Sequence, residues 1–192
     1  MTDLSDVDVV ARAAGRFVEW PHVTEAMRYA EDGVAGIVPA CKWTIAACRR
    51  QLDDLEREDS DESWPYVFDA AAADRAIRFV ELCPHVKGRW AGQRIKLEAW
   101  QKFGDACVYG WRRRDNGLRR FRTVYEEVPR KNAKTTKLAP KILYHLTADG
   151  EIGAECYSAA TTRDQARIVL EIAQQMARLS PDFRQRFGVS VL

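Results

Sequence analysis

Over the N-terminal third of the chain, apolar positions recur at three- and four-residue steps, the period of amphipathic helices. Val7, Val10, Ala11, Ala14, Phe17 and Val18 form one stripe, and residues 5–58 read as helical. Pro21 interrupts this pattern. A second helix is expected from Thr24 to Glu31, and a third starts near Pro39 and continues through Trp43, Ala46, Ala47, Arg50 and Leu55. The acidic run from Asp53 to Glu62 reads as a solvated end or a loop. Trp64-Pro65-Tyr66 marks a break, after which Asp69 is placed to cap a helix from Ala70 to Leu82.

The pattern changes after Pro84. Lys87 to Gly92 is loop-like, and a helical stretch runs from Leu97 to about Trp111. Asp115-Asn116-Gly117 is a turn signal, and Phe121, Val124, Tyr125 and Val128 predict a strand leading out of it. Pro129 to Thr136 is a polar connection, Leu138 to Leu146 a helix ending at Asp149-Gly150, and Glu155 to Ala160 a second strand. Asp164 to Leu179 is strongly amphipathic through Ala166, Val169, Ile172, Ala173 and Met176. Strand, loop, helix, strand, helix is the beginning of a parallel α/β sheet. The expected division is a helical region over residues 1–84 and an α/β region over residues 85–192, with no internal repeat.

Composition narrows the function classes. With 46% hydrophobic residues in 192, the chain can build one sizeable core, or one core plus a small satellite. Thirty basic residues nearly balance 28 acidic ones, so only the local distribution of charge is informative. Cys41, Cys48, Cys83, Cys107 and Cys156 form no C-x-x-C pair, and His22, His85 and His145 stand apart, which argues against a structural zinc site. The odd cysteine count reads as reduced thiols in a cytosolic protein. Thr2-Asp3-Leu4-Ser5-Asp6 lacks the basic start and apolar run of a signal peptide, and no run of about 18 apolar residues occurs that could span a membrane.

The segment Val128-Pro129-Arg130-Lys131-Asn132-Ala133-Lys134-Thr135-Thr136 carries the chemistry. Laid on the phosphate-loop pattern G-x-x-x-x-G-K-[ST], it puts Lys134 and Thr135 at the K-[ST] positions, between an expected strand and an expected helix. In such a loop, successive backbone N–H groups and a helix N-terminus cradle phosphate oxygens. The lysine reaches the terminal phosphates and the next hydroxyl holds magnesium. Val128 and Ala133 replace the two glycines, so Ala133 faces a conformational cost wherever φ is positive. Pro140 removes one backbone hydrogen bond from the helix behind the loop. The other reading of these residues is a basic surface loop capping a helix, with Lys134 and Lys137 solvated.

The stretch Glu127 to Thr135 resembles the deviant Walker A motif of phage terminase large subunits, which commonly reads P-R-K-N-G-K-S/T. Tyr66 to Asp69 leading into Arg75 to Phe79 is similar to that family's N-terminal helical region. Leu97-Glu98-Ala99-Trp100-Gln101-Lys102-Phe103 resembles its adenine-recognising segment. Ser158 to Ala166 resembles its strand-to-helix segment after Walker A. The resemblance covers roughly residues 30 to 190. It implies the first part of a P-loop ATPase sheet preceded by a helical region, with the acidic Walker B strand and the nuclease domain lying further along than Leu192. By that resemblance the cofactors are ATP and Mg2+. Lys134 and Arg130 act on the transferred phosphate, and Pro129, Arg130, Lys131, Asn132, Ala133, Lys134, Thr135 and Thr136 hold the nucleotide. Thr135 contacts magnesium and Gln101 reads the base. The implied partners are double-stranded DNA, a portal protein, a small terminase subunit and further copies of the chain, in the host cytoplasm.

Two features stay open at this level. Arg112, Arg113, Arg114, Arg119, Arg120 and Arg122 could meet a DNA backbone, or form a solvated hairpin or a subunit contact. Thr161, Thr162 and Gln165 could touch DNA or couple to the nucleotide, but Thr161 or Thr162 is also a natural N-cap. Two rival functions stand beside the first: a non-catalytic remnant that binds nucleotide or DNA weakly, and a helical interaction protein with no nucleotide site.

Overall fold

The computed structural model describes residues 12–191. In chain order the elements are α1 (Arg12–Gly15), α2 (Pro21–Val34), α3 (Lys42–Ser60), β1 (Tyr66–Phe68), α4 (Ala70–Leu82), a 3-10 turn (Gly88–Trp90), α5 (Ala99–Gly110), β2 (Trp111–Arg113), α6 (Lys134–Thr147), α7 (Arg163–Arg178) and α8 (Pro181–Phe187). Two compact units interleave along the chain. One joins residues up to Ile77 with Leu97–Val124, and the other joins Arg78–Lys96 with Tyr125–Leu192. The units therefore do not divide at residue 84. The stretch 97–124 packs with the N-terminal helices. The start of the apolar stripe, Val7 to Ala11, lies outside the described residues.

In the first unit the helix starts are dictated by the sequence. Pro21 opens α2, where its fixed φ suits the first turn and its missing N–H costs nothing. Asp69 caps α4 by accepting the Ala72 N–H at 2.8 Å. Glu98 and Gln101 form a capping box on α5, in which the Gln101 side chain accepts the Glu98 N–H at 3.0 Å. The core gathers Val23, Ala26, Met27 and Ala30 of α2 with Phe68, Phe103, Ala106 and Trp111. Phe68 lies 5.2 Å from both Phe17 and Trp111, centroid to centroid. A Cβ at Gly110 would run into the Phe68 ring, so the end of α5 admits only glycine here.

Two polar groups in this core are matched, as burial requires. Trp111 Nε1 donates to Gln51 Oε1 at 2.8 Å, and Gln51 is fully buried. Asp54, 2% exposed, takes the Arg120 guanidinium at 2.6 Å. That guanidinium also stacks over the rings of Tyr66 (4.5 Å), Phe121 (4.9 Å), Trp64 (5.3 Å) and Trp111 (5.5 Å). The acidic run is a largely solvated helix end, with Asp54 as the exception. Helix α3 continues to Ser60, and Asp54 is a buried ion-pair partner.

The second unit is built on α6 and α7. Ala139, Leu143 and Tyr144 of α6 are buried, as are Ile172, Ala173, Met176 and Ala177 of α7. Phe79 stands 5.3 Å from Tyr144 and 5.9 Å from Phe183 of α8, a short helix that the sequence pattern did not single out. Thr162 is the N-cap of α7, accepting the Gln165 N–H at 3.3 Å, and Thr161 Oγ1 bonds Gln165 Oε1 at 2.8 Å. The capping reading of these threonines is the one the structure shows.

The expected parallel sheet is not formed among the described residues. The sheet present is two-stranded and antiparallel, pairing Tyr66 with Arg113, Val67 with Arg112 and Phe68 with Trp111. The segments expected as strands over Phe121–Val128 and Glu155–Ala160 run without a ladder, leaving Tyr125 85% and Tyr157 86% exposed. β-Propensity describes a side chain's fit to a pleated, half-buried surface, and it cannot supply the neighbouring backbone that a strand needs.

Candidate functional site

The loop before α6 lies entirely within the second unit. The chain enters it without regular secondary structure and leaves through Lys134, the first residue of α6. Two non-glycine residues take positive φ, Lys131 at 70° and Ala133 at 54°. Placing left-handed residues beside right-handed ones turns successive N–H groups toward one side, which makes an anion-binding concavity. Ala133, with ψ 21°, is the N-cap of α6, and no side chain caps that helix. Its first N–H groups have no partner within the helix. The helix itself runs unbroken through the fully buried Pro140, whose ring offers no N–H to the Thr136 carbonyl.

Side chains fold back over the loop. Lys134 Nζ donates to the carbonyl oxygens of Val128 and of Pro129, the latter at 3.1 Å. Asn132 Nδ2 donates to the carbonyls of Pro129 (3.2 Å) and Arg130 (3.3 Å). The ammonium of Lys134 therefore satisfies two carbonyl dipoles of its own loop. Arg130, Lys131, Asn132, Ala133 and Lys134 are exposed, while Thr135 and Thr136 are half-buried. Pro129 to Ala133 form the loop, and Lys134, Thr135 and Thr136 the first turn of α6. Gln101 belongs to the other unit, where it is 5% exposed and its side-chain oxygen closes the capping box of α5.

Sequence reading missed the neighbourhood of this loop. Lys137 is not solvated: it is 4% exposed and its Nζ meets Glu126 Oε2 at 3.1 Å. Glu126, Lys134, Lys137, Leu138 and Lys141 line a cavity of about 150 Å³. The signal was available in the spacing, because Lys134, Lys137 and Lys141 fall on one face of a helix.

Ala133 carries a testable cost. A non-glycine residue in the left-handed region is disfavoured by about 1–2 kcal/mol. Part of this is offset in Ala133→Gly by the greater freedom of glycine in the unfolded chain. The variant is expected to stabilise the protein by about 0.5–1 kcal/mol, read as a higher urea midpoint at unchanged slope.

Arg113, Arg114, Arg119 and Arg120 of the arginine cluster are engaged within the first unit. Arg113 pairs with Asp115 at 2.7 Å, and Arg114 Nε donates to the carbonyls of Trp64 and Tyr66, both at 3.1 Å. Arg119 sits over Tyr109 at 5.4 Å, and Arg120 is the buried partner of Asp54.

Among the described residues no group of three or more His, Cys, Asp or Glu side chains could hold a metal ion, and no helix is long and apolar enough to cross a membrane. The five thiols are free. Burial pushes Cys48 up to about 11, and Cys83 and Cys107 up to about 12. The exposed Cys41, at the start of α3, is lowered by hydrogen bonds from the Thr44 side chain and backbone. Because the thiolate is the nucleophile, Cys41 is expected to react first with a thiol reagent at neutral pH. Cys48, Cys83 and Cys107 are expected to react only on unfolding, and peptide mapping of the adducts checks the order.

Residues 99–186, which include the whole loop, match the family described as "Terminase large subunit, ATPase domain". The chain is also 31% identical over 114 residues to the terminase large subunit of Enterobacteria phage HK97, across 58% of this chain. Over these stretches the chain is similar to terminase large subunits. It spans about a fifth of that relative's length, 21%. No solved structure matches it. The ATPase-domain match begins at the first residue of α5 and ends within α8, so it takes in β2, the arginine hairpin, the loop and α6 to α8.

Proposed function

We propose that this chain is the N-terminal, nucleotide-binding portion of a terminase large subunit, holding ATP and Mg2+ at the loop Pro129–Thr136. The observation that carries this reading is the loop's geometry inside the matched ATPase segment. Lys134 opens an uncapped helix, directly behind a backbone with positive φ at Lys131 and Ala133.

The donor set fits a triphosphate. Lys134 would exchange the carbonyls of Val128 and Pro129 for terminal phosphate oxygens, and the N–H groups at the start of α6 would donate to the same charge. The Thr135 hydroxyl would hold magnesium. Bound magnesium would neutralise charge developing on the transferred phosphate. Arg130, exposed in the loop, would add a second cation there.

In the whole protein this site belongs to a P-loop ATPase sheet of parallel strands that includes the segments 121–128 and 155–160. Its turnover would drive double-stranded DNA into a procapsid in the host cytoplasm, with the portal protein, the small terminase subunit and further copies of the chain as partners.

The magnesium assignment is tested with Thr135→Val, which keeps the side-chain shape and removes the hydroxyl. Wild-type affinity for an ATP analogue should rise on adding magnesium, and the variant should show little of that rise. An equal magnesium effect in both proteins would remove Thr135 from the site.

A further inference from the structure

Around the phosphate loop, one ion pair joins the chain before the loop to the helix after it. Glu126 lies two residues ahead of Val128, and Lys137 lies in the first turn of α6, eleven positions on. Their 3.1 Å contact closes a ring of chain that contains the whole loop. The two partners differ in exposure: the Lys137 side chain is 5% exposed and that of Glu126 is 36%. The segment carrying Glu126 has no ladder to hold it among the described residues. Glu126 also borders the cavity of about 150 Å³ that Lys134, Lys137 and Lys141 line, and among the described residues it is the sole carboxylate in that lining.

We propose that Glu126 and Lys137 are positioning residues, clamping the two ends of the phosphate loop and thereby setting how tightly a phosphate-bearing ligand is held. The binding half of this statement rests on the proposed nucleotide function, whereas the clamping half does not. Removing the Glu126 charge breaks the contact that ties the chain before the loop to the first turn of α6. The start of α6 then loosens, and with it the N–H groups at the loop's exit.

Hydrogen exchange on the full, nucleotide-free chain tests the clamp. Glu126→Gln, which keeps size and loses charge, should speed exchange at the amides of residues 134–138 by about tenfold while Arg163–Arg178 keeps its rate. The double exchange Glu126→Lys with Lys137→Glu should restore slow exchange. Unchanged rates in Glu126→Gln, or an equal rise across α7, would overturn the clamp, the second outcome showing a merely structural role. Titration with a magnesium–ATP analogue forms the second arm. Binding weakened about tenfold in Glu126→Gln and recovered in the double exchange supports positioning. Equal binding by wild type and Glu126→Gln overturns it. If wild type does not bind the analogue, the nucleotide reading and the binding half fall together, and the exchange data still decide whether the clamp exists.

Discussion

Asp54→Ala is expected to lower the unfolding free energy by about 3–5 kcal/mol, the cost of breaking a buried ion pair from one side. Both partners are withdrawn from water: the Asp54 side chain is 3% exposed and that of Arg120 15%. Alanine at 54 would leave the guanidinium among Trp64, Tyr66, Trp111 and Phe121 without its carboxylate. Stacking on the rings retains part of the attraction, so the folded state survives in weakened form. The double variant Asp54→Ala with Arg120→Met should recover much of the loss, because an apolar chain replaces the orphaned charge. Urea denaturation read by tryptophan fluorescence measures both. A single-variant loss below about 1 kcal/mol would mean that the pair behaves as a surface bridge does.

The second large effect falls on binding. Lys134→Ala is expected to weaken the affinity for a magnesium–ATP analogue about ten- to hundredfold, the worth of a hydrogen bond to a charged group. Stability should move much less, because Lys134 is exposed and its partners Val128 and Pro129 are carbonyls that water can serve equally well. That separation distinguishes a ligand contact from a structural lysine. An affinity unchanged in Lys134→Ala, with binding intact in the wild type, would place the nucleotide elsewhere on the chain.

The helices were legible because their signals are local. Asp69 marks a helix start by accepting a backbone N–H, and the structure starts α4 there. Thr162 does the same for α7. Pro21, which the pattern reads as an interruption, instead opens α2, and the Glu98–Gln101 box at the start of α5 is seen only in the structure. The loop's positive φ at Ala133 was foreseeable too, since glycine is the residue the motif puts at that position. The readings that failed depend on distant partners. The burial of Asp54 needed Arg120, 66 residues away, and that of Lys137 needed Glu126 across the loop. The strand reading of 121–128 and 155–160 finds no ladder among the described residues, because a strand is completed only by another backbone. The pairing of Tyr66–Phe68 with Trp111–Arg113 joins segments more than 40 residues apart, which no local pattern announces.

The central claim is that the loop Pro129–Thr136 holds a magnesium nucleotide. The measurement that tests it most directly is a calorimetric titration of a slowly hydrolysed ATP analogue with magnesium into the wild-type chain, followed by hydrogen exchange on the saturated sample. The account predicts saturable heat and slowed exchange at the amides of residues 130–137. Heat without protection there, or no heat at all, would contradict it.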